Sequence, residues 1–156
     1  MCENLPIASL EIRNKLIKSH LQQGHKVGYR SSGWSCWPAI SSNDLCYYAP
    51  VYKRDDLWYW DQRHRSETRY TELGYWREQE WISLKRGDLV FCAVEPGGRY
   101  FAHPIKQIEW SWHGGAQHPC YTIANLQGHV NGVSYEDMIW GILYQVNDTP
   151  FTGVEF

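Results

Sequence analysis

The chain has 156 residues, enough for one domain with a core of its own and no need of covalent staples. Hydrophobic residues make up 43 % and charged residues 21 %, which excludes a disordered segment. The formal net charge of −2 excludes the broad basic footprint that nucleic acid or an anionic membrane surface requires.

Aromatic content is the unusual feature, with 9 Trp, 11 Tyr and 4 Phe. Such residues fill cores, and they also line grooves and interfaces. The five cysteines, Cys2, Cys36, Cys46, Cys92 and Cys120, are odd in number and form no C-x-x-C pair. That speaks against a zinc site and a disulfide framework and for a reducing compartment, so no metal and no cofactor is expected.

In chain order, residues 1–26 read as a helical lead-in. Ser9 is a candidate cap for a helix from Leu10 to about Gln22, stopped by Gly24. Charged Glu11, Arg13, Lys15 and Lys18 interrupt any apolar run, so neither a signal peptide nor a membrane-spanning helix is expected and the chain is read as intracellular. A single short helix cannot make a helix-turn-helix DNA reader.

From Val27 the texture changes to short strands and turns, and residues 27–150 read as one β domain with a tail at 151–156. Val27–Ser31 is extended, and Ser31-Ser32-Gly33 is a turn signal. Asp44–Tyr52 is a strand in which Pro50 marks an edge or a bulge. Residues 53–83 carry nearly balanced charge, six basic against seven acidic residues, around Trp58, Trp60, Trp76 and Trp81. They read as an inserted loop partly ordered by tryptophan packing, or as a lid or partner-binding arm. Their acids argue against stacking on single-stranded nucleic acid.

Asp88–Glu95 and Arg99–Trp110, joined by Pro96-Gly97-Gly98, read as a hairpin. Cys120–Ala124 and Met138–Val146 are the last strong strands, with a loop at Gly128–Gly132 between them. The turn Asn43-Asp44-Leu45-Cys46 is echoed by Gly87-Asp88-Leu89-Val90, each feeding a strand. Met138–Val146 is apolar enough either to be buried or to pair with a second copy in a homodimer.

Two segments carry chemistry. In Gly33-Trp34-Ser35-Cys36-Trp37-Pro38, a serine sits on a turn bounded by Gly and Pro. A serine hydroxyl becomes a nucleophile only when a base takes its proton and donors await the oxyanion, and backbone N–H groups on a tight turn serve as such donors. In Tyr100-Phe101-Ala102-His103-Pro104-Ile105, the strand period places His103 on the face of Phe101 and Ile105. A histidine there is either a core residue hydrogen-bonded to backbone or a general base suited to neutral pH. Lys106, three residues on, falls on the opposite face. His113 and His118 lack the spacing of a helical zinc pair, and His129 lies in the Gly128–Gly132 loop within possible reach of a site.

Taken together, the segment around Ser35 resembles the G-x-S-M-x-P box of the S24/S26 serine peptidases, the signal-peptidase and LexA-like superfamily. Asn43-Asp44-Leu45-Cys46 and Lys85-Arg86-Gly87-Asp88-Leu89-Val90-Phe91 resemble its two G-D-hydrophobic turns. Ala102-His103-Pro104-Ile105 is similar to the strand that carries the general base, and Ile139-Trp140-Gly141-Ile142-Leu143 to the closing strand.

The resemblance spans about residues 27–146. It implies an all-β fold of coiled strands and peptide-bond hydrolysis, with Ser35 as nucleophile, His103 as base, and Gly33 and Cys36 at the oxyanion turn. Cys36 stands for the family's methionine and Pro104 for its arginine. The stretch Thr122–Asn131 lacks the family's aspartate. Triad logic asks for a residue that orients the base, and Asp137 is the candidate acid. Two functions follow: a serine peptidase using a Ser35–His103 dyad on a protein or peptide substrate, or a catalytically silent relative that binds a protein or peptide in the same cleft.

Overall fold

The computed structural model describes residues 2–4 and 10–156. The fold is mainly β. The one helix among the described residues, α1 (Leu10–Gln22), is followed by a Gly24 whose φ of +84° reverses the chain, and Gly24 N–H bonds back to Leu21 O. The expected Ser9 cap lies outside the described residues. No helix among the described residues is long and apolar enough to cross a membrane.

The strands are β1 (Cys2–Asn4), β2 (Lys26–Arg30), β3 (Leu45–Pro50), β4 (Tyr52–Asp61), β5 (Ser66–Arg77), β6 (Glu80–Ser83), β7 (Leu89–Val94), β8 (Arg99–His113), β9 (Ala116–Ala124), β10 (Val130–Ser134), β11 (Ile139–Val146) and β12 (Thr149–Pro150). They pair in the order β1-β2-β3-β11-β7-β8-β9-β5-β4, with β10 beside β9, β12 beside β11 and β6 beside β5. Most pairs are antiparallel; β1–β2 and β5–β9 are parallel.

The central strand β7 explains the two cores. All six of its residues are buried, as an uninterrupted apolar run should be when both faces are covered. Leu89 and Phe91 face one core, with Ile17 and Leu21 of α1 and the stacked pair Tyr29–Tyr48. Val90, Cys92 and Val94 face the other, with Leu73, Ile105, Tyr121 and Ile139. Gly141 lets α1 seat on β11: a Cβ there would lie 2.7 Å from Leu21 Cδ1.

The β7–β8 hairpin forms as its sequence suggests, in register from Leu89↔Pro104 to Val94↔Arg99. At Pro104 the strand β8 changes partners. Its pairing with β7 ends there, and its pairing with β9 begins at Ile105↔Ile123, with a register shift before Gln107. A residue without an N–H is tolerated at such a handover, because no ladder bond is asked of it.

Three expectations are corrected. Pro50 marks neither an edge nor a bulge: β3 is an interior strand, and Pro50 ends it opposite Gly141, past the last β2 pair at Val27↔Tyr48. Residues 53–83 are not a loop around buried tryptophans but the meander β4–β5–β6. Trp58, Trp60 and Trp76 are each more than half exposed, because strand alternation turns them outward. The Gly128–Gly132 region, expected as a loop, includes the start of β10.

Strand β11 pairs with β7 over Ile139–Ile142 and with β3 over Gly141–Val146. The two echoed turns are physically alike. Asn43 (φ +78°) and Gly87 (φ +94°) are left-handed. The next residue's carboxylate then accepts from a backbone N–H three positions back, Asp44 Oδ2 from Ser41 at 2.8 Å and Asp88 Oδ2 from Lys85 at 2.9 Å.

Candidate active site

The connection between β2 and β3 carries Ser35. Gly33 holds φ at +82°, a region that costs a glycine nothing, and the chain then coils tightly. Trp37 N–H bonds to Trp34 O at 3.0 Å and Ile40 N–H to Cys36 O at 2.9 Å. Leu126 N–H reaches across from the β9–β10 loop to Ser35 O at 2.9 Å, and Gln127 Nε2 donates to Trp37 O at 3.0 Å. None of these bonds uses the amides of Ser35 or Cys36.

Folding brings Ser35 and His103, 68 positions apart, together: Ser35 Oγ lies 2.9 Å from His103 Nε2. His103 is 8 % exposed, on the last stretch of β8 that pairs with β7. Its other ring nitrogen, Nδ1, lies 2.6 Å from Asn131 Oδ1. An amide oxygen only accepts, so the ring proton sits on Nδ1 and Nε2 is left to accept from the Ser35 hydroxyl. Burial, above all, lowers the His103 pKa from its ordinary 6.5; the Asn131 bond opposes this, and nearby His129 adds to it. At neutral pH the imidazole is uncharged, the form a general base needs.

Asn131 therefore occupies the orienting position for which Asp137 was expected. Asp137 lies in an exposed turn closed by Met138 N–H on Tyr135 O, and His103 has its Nδ1 partner elsewhere. The backbone gives the reason. Between β10 and β9 the register runs from Val130↔Ala124 to Gly132↔Ile123, so Asn131 is the extra residue of a bulge, and bulges re-aim side chains. Gly132 fixes that bulge: its φ is +149°, and a Cβ there would lie 2.3 Å from Glu95 O. Asn131 ends the stretch in which an aspartate was sought. Its signal in the sequence is a polar side chain beside a glycine, Asn131-Gly132.

Cys36 is buried with its Sγ 3.6 Å from Ala102 O, and desolvation, slightly offset by a bond to Ser35, pushes its thiol up to about 11. At neutral pH the thiol is therefore protonated. Lys106 is exposed and takes no part. His113 and His118 belong to a separate cluster, in which His118 Nδ1 bonds Glu136 and Thr71 and Lys53 pairs with Glu136 at 3.2 Å. No group of three metal-ligating side chains exists among the described residues.

Ser35 stands between two recesses. One is a cleft of about 260 Å³ floored by Tyr29, Tyr48 and Phe91; the other is an open groove walled by Trp34, Trp37 and Gln127. No family model matches this chain, and neither a curated protein nor a solved structure matches it.

Proposed function

We propose that the protein is a serine peptidase of S24/S26-like design, with Ser35 as nucleophile, His103 as general base and Asn131 as the residue that positions the base. One observation carries the reading: the continuous relay from Ser35 Oγ to His103 Nε2 at 2.9 Å and from His103 Nδ1 to Asn131 Oδ1 at 2.6 Å. A structural histidine needs only one satisfied bond; here the second nitrogen is aimed at a hydroxyl in an open cleft.

The chemistry balances. Ser35 Oγ bonds to the carbonyl carbon of a peptide as its proton passes to His103 Nε2, and the oxyanion is held by N–H groups of the Ser35–Cys36 turn. The C–N bond then breaks as Nε2 returns the proton to the leaving amine. Water, deprotonated by the same nitrogen, releases the acyl group and restores the hydroxyl. Asn131 keeps the ring upright throughout, but being neutral it stabilises the imidazolium less than a carboxylate would.

The neutral Asn131 and the exposed Trp34 and Trp37 favour a second reading, a peptide-binding module on the same cleft. Labelling with a fluorophosphonate probe separates the two. The peptidase reading expects covalent labelling of the native chain and none of Ser35→Ala. Equal labelling of both, or labelling of neither, leaves the binding module.

A further inference from the structure

We propose that the cleft beside Ser35 is a carboxylate-accepting subsite, so that the favoured peptide carries an acidic side chain, or its own free C-terminus, next to the bond at Ser35. This rests on the cleft being the substrate site of the proposed peptidase, and it adds the class of substrate.

The charge of the cleft is one-sided. Among the described residues, its lining includes the guanidinium groups of Arg13 and Arg99 and no Asp or Glu. The chain as a whole is slightly acidic, with formal net charge −2, so the cleft does not reflect a generally basic surface. His103, the remaining titratable base in the lining, is neutral at pH 7 because burial lowers its pKa.

Both arginines are held in place by aromatic rings. The Arg13 guanidinium carbon, carried by α1, lies 4.9 Å from the ring centre of Tyr29, and that of Arg99, at the start of β8, lies 5.3 Å from that of Phe101. A stacked guanidinium keeps its in-plane N–H donors free for a planar acceptor and loses little further freedom when one arrives.

A carboxylate is the acceptor that matches the fork of guanidinium N–H donors that such an arginine presents. Glu11 pairs with Lys15 at 3.4 Å, and Asp44 accepts from Ser41 N–H and from Asn147 Nδ2, so these two acids are engaged elsewhere. The apolar floor of Tyr29, Tyr48 and Phe91 suits the methylene stem of an acidic residue and lowers the local dielectric in which the charges meet.

The test measures binding apart from cleavage. Full-length Ser35→Ala is titrated with three end-blocked hexapeptides that differ only in a central Asp, Asn or Lys, and with an acid-free hexapeptide bearing either a free or an amidated C-terminus. The expected result is a preference on the order of ten-fold or more for a carboxylate over its neutral counterpart. Arg13→Gln and, independently, the solvent-exposed Arg99→Gln in the same background should abolish or sharply reduce it. Preference for Asp over Asn assigns the group to a side chain; preference for the free end over the amide assigns it to a chain terminus. Equal binding of all five peptides overturns the proposal, as does a preference that survives both arginine changes. Fluorophosphonate labelling of the native chain without any carboxylate preference removes the subsite and keeps the peptidase. A carboxylate preference without labelling removes the peptidase and keeps the subsite.

Discussion

His103 Nδ1 and Asn131 Oδ1 are 2.6 Å apart, although Asn131 enters the site only because β10 is bulged at that residue. The orienting group is therefore supplied by an irregularity of the sheet. Asn131→Ala should leave the fold intact and free the imidazole to rotate and change tautomer. Peptide turnover is expected to fall by about 10²-fold or more, the scale on which misdirected general bases fail. Steady-state kinetics against an unchanged circular dichroism spectrum checks this.

The acid limb of activity should lie below the ordinary histidine value of 6.5, since burial is the leading influence on His103 and favours the neutral ring. Asn131→Asp places a carboxylate against Nδ1 and should move that limb to higher pH. For stability the sign is fixed by linkage. With a folded pKa below the unfolded one, the unfolded chain takes up the proton first as pH falls. The contribution of His103 to stability is thus present above 6.5 and is lost as the pH drops through the folded pKa. A kcat/KM profile of both proteins, with urea midpoints across the same range, tests both statements.

Cys36 should be inert in the native protein. Its thiol, pushed up to about 11 by burial, is protonated at neutral pH. Cys36→Ala should keep fluorophosphonate labelling at Ser35, and a thiol reagent should modify Cys36 only once denaturant is added. Mass mapping of alkylated peptides distinguishes Cys36 from the part-exposed Cys120.

Gly132→Ala should be strongly destabilising. The added Cβ would meet Glu95 O at 2.3 Å, at a φ of +149°. The bridge it disturbs is made by Glu95 N–H to Val133 O at 2.8 Å and Val133 N–H to Glu95 O at 3.0 Å. A loss of roughly 2–3 kcal/mol is expected from overpacking plus backbone strain. Activity should fall with it, because the displaced bulge carries Asn131. Chemical denaturation measures the first effect and turnover the second.

Ile17→Ala should cost about 2–4 kcal/mol, as the loss of a fully buried branched side chain does. Ile17 is 0 % exposed and ties α1 to the core beneath the cleft. A shift of the urea midpoint without a change in slope would show it.

Much of this architecture could be read from local pattern. The bounds of α1, the β7–β8 hairpin and the strand at 139–146 follow from periodicity, Gly stops and turn dipeptides, all local signals. The meeting of Ser35 and His103 was legible through motif order. Asn131 was not, because a bulge depends on how two strands register rather than on any residue alone. Residues 53–83 depart from the expected loop because cross-strand pairs such as Trp76–Trp81 gather tryptophans on strands at the surface, which composition does not distinguish from a core.

The segment 125–131 touches both residues of the proposed dyad. Its Leu126 N–H grips the carbonyl of Ser35, and its Asn131 steers the ring of His103. A single backbone nick near Gly128 would loosen both at once while the main ladders stayed paired. Limited proteolysis at that loop, rather than melting temperature, is accordingly the sensitive gauge of whether Ser35 and His103 are held together.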